Sequence, residues 1–90
     1  MIEYHKREKI MENKISVVAI IVSAPDAVEA VNSALHAFRE YIIGRLGVPH
    51  KEKGVSVISV VLDAPLSVVN SLSGKLGMIK GVSSKVLTAK

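Results

Sequence analysis

Two stretches of the chain are apolar at almost every position, Ile15 to Val22 and Val55 to Leu62, and both are of strand length and rich in β-branched residues. Each is soon followed by an Ala-Pro step, Ala24-Pro25 and Ala64-Pro65. Beyond each step the apolar period changes to three and four: Val28, Val31, Leu35 and Phe38 in the first case, Leu66, Val69, Leu72 and Leu76 in the second. That spacing gathers them on one face of a helix, with Ala27, Ala30 and Ala34 beside the first set. Proline suits the first turn of a helix, where no N–H is needed, and Gly77 marks the end of the second.

Two further strands are weaker. Tyr41 to Val48 holds Ile42, Ile43, Leu46 and Val48 but also Gly44 and Gly47, which predicts a strand with a bend or bulge. Pro49 to Gly54 reads as a polar turn, and Val82 to Thr88 as a last strand with Val82, Ser84, Val86 and Thr88 on one side and Ser83, Lys85 and Leu87 on the other. Met1 to Lys14 mixes Glu and Lys without an apolar stripe and reads as a charged tail or frayed helix, with Met11 a candidate start; the domain is taken as 15–90.

Laid over one another without a gap, Ile15 to Val28 and Val55 to Val68 share Ser-Val, Ala-Pro and the final Val, and Asn32-Ser33 is echoed by Asn70-Ser71. Two tandem βαβ halves give βαββαβ, an α+β ferredoxin-like sandwich with a four-stranded antiparallel sheet and both helices on one face. Right-handed crossovers place the first and third strands side by side in the middle. One face of those strands packs on the helices; the other, lined by Val17, Ile21, Val57 and Val61 or their neighbours, is left open. An apolar patch of that kind predicts a partner, most simply a homodimer or homotetramer in which sheet faces or edges meet. Ala19 and Ser59 fall together on one face, leaving room for close packing or for a ligand.

Composition narrows the chemistry. Hydrophobic residues are 49% of 90 and aromatics 3%, so the core is aliphatic. No cysteine is present, which excludes disulfides, thiolate metal sites and a cysteine nucleophile and fits a reducing cytoplasm. No apolar run approaches the roughly 20 residues of a membrane helix. His5, His36 and His50 lack ligand spacing, so no metal or other cofactor is expected, although a twofold could bring histidines together between subunits. No nucleophile motif or paired carboxylate suggests an enzyme. The net charge of +4 is ordinary solubilising charge or a preference for anions. Ser73-Gly74-Lys75-Leu76-Gly77 ends a helix instead of opening one, so it is not a phosphate loop. Arg45, Lys51 and Lys53 lie among glycines and offer an anion site; with Lys75 and Lys80 they form an alternative anion- or nucleic-acid-binding surface. Against nucleic acid, the central strands carry no aromatic for base stacking.

Tyr41-Ile42-Ile43-Gly44-Arg45-Leu46-Gly47-Val48-Pro49, Lys51-Glu52-Lys53-Gly54-Val55 and Leu72-Ser73-Gly74-Lys75-Leu76-Gly77 with Gly81-Val82 resemble the iron-only hydrogenase system regulators. These are ACT-like domains, also similar to the C-terminal domain of nickel-responsive repressors. The resemblance runs from Ile15 onward and implies a non-enzymatic regulatory module with a small-molecule effector. Pro25-Asp26 and Pro65-Leu66 differ from the Pro-Gly of amino-acid-binding ACT domains, and the histidine and cysteine ligand set of the nickel repressors is missing. A ligand site is expected at a subunit interface, near Pro25, Asp26 and Pro65 or along Gly44, Arg45, His50, Lys51 and Lys53.

Overall fold

A computed structural model describes residues 12–90. The readings made for Met1 to Met11, including the basic tail and the alternative start, lie outside the described residues. The elements run β1 (Asn13–Val22), α1 (Ala27–Ala37), β2 (Ile42–His50), β3 (Val55–Pro65), α2 (Leu66–Gly77) and β4 (Val82–Thr88), with single 3-10 turns at Arg39–Tyr41 and Lys51–Lys53. All four strands form one antiparallel sheet in the order β2-β3-β1-β4, so the two apolar runs are the central pair. This is the ferredoxin-like, ACT-like α+β sandwich.

The two faces of the sheet separate by strand alternation. Ser16, Val18, Ile20 and Val22 of β1 and Ile58, Val60, Leu62 and Ala64 of β3 point inward and are buried. Against them pack Ala27, Val31 and Leu35 of α1 and Val69, Leu72 and Leu76 of α2. Among the described residues Ser16 is the one buried polar side chain, and its hydroxyl is 2.9 Å from that of Thr88 on the neighbouring strand. The pair satisfies both groups across the seam between β1 and β4.

Alike in sequence, the two Ala-Pro junctions fold differently. Pro65 ends β3 in an extended conformation and is itself the N-cap position of α2. Pro25 sits in a turn, where the Ala27 amide donates to the Ala24 carbonyl, and Asp26 takes the cap position of α1 with helical φ and ψ. The cause lies in the neighbouring contacts: the Ser23 amide donates to the Gly81 carbonyl at 2.8 Å, pulling the end of the first unit onto the loop before β4. Asn13 pairs with Pro65 and Val22 with Ser56, so the junctions stand at opposite ends of the sheet.

β2 carries the predicted irregularity, a register shift between Ile42 and Gly44 that leaves Ile43 outside the ladder. Its end differs from the sequence expectation, because Pro49 and His50 continue the strand instead of turning. β2 is an edge strand, where a missing N–H goes unnoticed by the sheet. The reversal falls to Lys51–Lys53 and to Gly54, whose φ of 66° is left-handed.

Candidate functional site

On β2 the inward positions are Ile42, Arg45, Gly47 and Pro49, opposite Leu62, Val60, Ile58 and Ser56. None of them supplies a large aliphatic side chain beyond Ile42, so the core stops at β3 and the inner side of β2 stays exposed. α1 flanks this bare strip. The result is a groove between helix and edge strand, in three connected segments.

At the turn end, a cleft of about 330 Å³ is lined by Pro25, Val28, Pro49, His50, Lys51 and Gly54 among others. Val28, Pro49 and Ser56 are shared with a middle segment of about 210 Å³, which adds Asn32, Arg45, Gly47 and Ile58. Asn32 and Arg45 are shared in turn with a third segment of about 370 Å³ lined by Leu35, His36, Arg39 and Ile42. Gly47 keeps the middle open, since a Cβ there would meet nothing within 4 Å.

The side chains along this groove are fixed in part. The Arg45 guanidinium donates from Nη2 to Asn32 Oδ1 at 3.0 Å, tying β2 to α1. Arg39 donates from Nη1 to the His36 carbonyl in the last turn of α1 at 3.0 Å, which holds the guanidinium beside the groove. Asn32 and His36 stand at i and i+4 on one flank of α1 next to the buried Val31 and Leu35, and Arg39, in the 3-10 turn that follows, lines the same segment.

The candidate residues are divided by this geometry. Pro25, Arg45, His50 and Lys51 line the groove. Gly44 lies at the bulge and faces the opposite side of the sheet, opposite Val61. Asp26 and Lys53 are exposed and line none of its segments, and Pro65 is at the far end of the sheet. Lys75, assigned to the alternative basic surface, places its ammonium 5.4 Å from the Phe38 ring centre, at the seam between the helices. Asn32 and Arg39 were not among the residues singled out from sequence. Their signal was the four- and three-residue spacing with His36, which a search for metal ligands or glycine loops passes over.

The other face of the sheet has its own character. Across the strands lie the rows Val48, Val57, Ile21, Ser83; then Leu46, Ser59, Ala19, Lys85; then Gly44, Val61, Val17, Leu87. Lys85 alone among these carries a charge. Ile21, Leu46, Val48, Val57 and Leu87 are between 40% and 74% exposed, while Ala19 and Ser59 are directly paired in the centre, as the repeat implied. Among the described residues no three of His, Cys, Asp and Glu come together as a metal group, and no helix is long and apolar enough to cross a membrane.

Comparison with known proteins gives a consistent relation. A family model matches residues 14–86: the TM1266-like family, described by its proposed role as iron-only hydrogenase system regulator. Among solved structures, that of the uncharacterized protein TM1266 from Thermotoga maritima superposes with a TM-score of 0.84 at 36% identity, over 88% of this chain and 100% of that one. The curated proteins return no match. Matched over nearly all of its described length, the chain belongs to the TM1266-like family of iron-only hydrogenase system regulators.

Proposed function

We infer that this chain is a non-enzymatic regulatory module of a cytoplasmic iron-only hydrogenase system, working as an oligomer and responding to a small effector. The family description supports the regulatory role. The observation that carries the oligomer is the largely apolar field of the open sheet face, where Val17, Ile21, Val57 and Val61 of the central strands are joined by Leu46, Val48 and Leu87 of the edges. A second copy of the chain is its occupant. Four strands about 4.8 Å apart and the seven residues of β4 give a footprint of about 19 by 23 Å, on the order of 400 Å² per copy before side-chain relief is counted. Two such faces approach the roughly 1,000 Å² that a specific interface needs. The charge pattern agrees, for Lys85 stands on edge strand β4 and Asp63 toward the end of β3, which leaves the centre free of like-charge contact.

Native mass spectrometry and sedimentation equilibrium of the purified chain test this reading. A dimer or tetramer at micromolar concentration is the expected result. A monomer throughout that range, with no partner retained, overturns it.

A further inference from the structure

We propose that the α1-β2 groove is the effector site, and that it takes a small oxyanion carrying a short apolar body, with the anionic head between Arg39 and Arg45. The proposal rests on the reading of the chain as an effector-responsive module and gives that effector a chemistry. Three observations carry it. Among the described residues, the segment that holds Asn32, His36, Arg39 and Arg45 has no carboxylate in its lining, so two guanidiniums share a cleft with no acid lining it. Both guanidiniums are already oriented, each by one 3.0 Å hydrogen bond to a neutral oxygen, which leaves most of the five N–H donors of each available. Planar, pre-positioned guanidinium forks fit carboxylate or phosphate oxygens in pairs.

The body of the ligand is set by the adjoining segment. Val28, Gly47, Pro49 and Ile58 offer it an apolar channel, and the missing side chain at Gly47 keeps that channel open. The two segments, about 370 and 210 Å³, suit a compact ligand at the lower end of small-molecule sites. Glu29, the one acid on this part of α1, lines a neighbouring cleft that shares Val28, Asn32 and His36 with the groove, but it does not line the segment that holds Arg39 and Arg45. Among the described residues, the head meets two guanidiniums and no carboxylate in that segment.

The test uses the full chain, labelled with ¹⁵N, titrated separately with butyl phosphate, butyrate and inorganic phosphate. Saturable shifts at Asn32, His36, Arg39 and Arg45 are expected. Tighter binding of butyl phosphate assigns a phosphorylated source, and tighter binding of butyrate a carboxylate one. Arg45→Met and Arg39→Met should each weaken the better probe about tenfold or more, and Lys53→Met, outside the groove, should leave it within about twofold. Gly47→Val, at an exposed position with space for a side chain, should weaken butyl phosphate while sparing inorganic phosphate. Failure of both organic probes to saturate by about 10 mM, or equal loss in Lys53→Met, overturns the site. Size analysis of the same samples separates the two readings. An assembled chain that ignores both probes removes the site and keeps the oligomer, whereas a monomer that binds removes the oligomer and keeps the site.

Discussion

Gly81 turns with a φ of 83°, and a Cβ built there would stand 2.6 Å from the Cβ of Ala24, while its carbonyl accepts from both the Ser23 amide and the Ser23 hydroxyl. A side chain at this position meets an unfavourable backbone conformation and a collision together, so Gly81→Ala is expected to cost roughly 2–4 kcal/mol in urea unfolding. Gly74 is the opposite case. It lies exposed inside α2 with nothing within 4 Å of a Cβ, and Gly74→Ala should stabilise by roughly 0.5–1 kcal/mol in the same assay. In the sequence the two glycines look alike, each one residue from a lysine. Only the contact between the end of β1 and the loop before β4, many residues apart along the chain, tells them apart. The hydroxyl pair of Ser16 and Thr88 has the same origin. Repeat comparison finds the serine twice, at Ser16 and Ser56, yet only Ser16 lies opposite a threonine on the neighbouring strand, and Ser56 instead opens onto the groove.

Among the elements, β1 and β3 were the most legible because an apolar run of strand length needs no tertiary information to be recognised, and the right-handed crossovers of two βαβ units then fix their central place. The helices followed from their spacing, and β4 from its alternation. β2 was legible only as far as its glycines allowed. Its bulge was foreseen, but Pro49 and His50 extend it because an unpaired edge tolerates what an inner strand would not. The groove was legible in pieces: Arg45 and Lys51 stood out among glycines, whereas Asn32 and Arg39 acquire meaning only once α1 is seen to flank β2 without covering it. That same bareness has a dynamic consequence. β2 contributes no buried residue, pairs along one edge only and is interrupted by a bulge, so its backbone hydrogen bonds are the least protected of the sheet. Hydrogen exchange followed by NMR should show β2 amides exchanging at least about tenfold faster than those of β1 and β3, and an effector in the groove should narrow that gap. Equal protection across all four strands would contradict this account of β2.

At the scale of the whole molecule, the two faces of one sheet differ: the inner face makes the core with α1 and α2, and the outer face carries the exposed apolar field on which the proposed second copy would sit. Association by faces and association by edges make different demands, and one substitution separates them. Val57 is 40% exposed, lies on central β3 and projects from the outer face, away from both edges of the sheet. Its removal from the core is complete, so Val57→Lys leaves the packing of Ile58 and Val60 on the helices intact and should change unfolding free energy by less than about 1 kcal/mol. In a face-to-face dimer the same lysine is buried without a partner, which costs several kcal/mol and shifts the complex to monomer. An edge-to-edge dimer, formed through the unpaired sides of β2 or β4, would not register the change, because the side chain stands perpendicular to the hydrogen-bonding direction. Sedimentation of Val57→Lys beside the parent chain therefore decides between them: a folded monomer is the expected outcome, and an unchanged oligomer would move the interface to the edges and leave the apolar outer face to another partner.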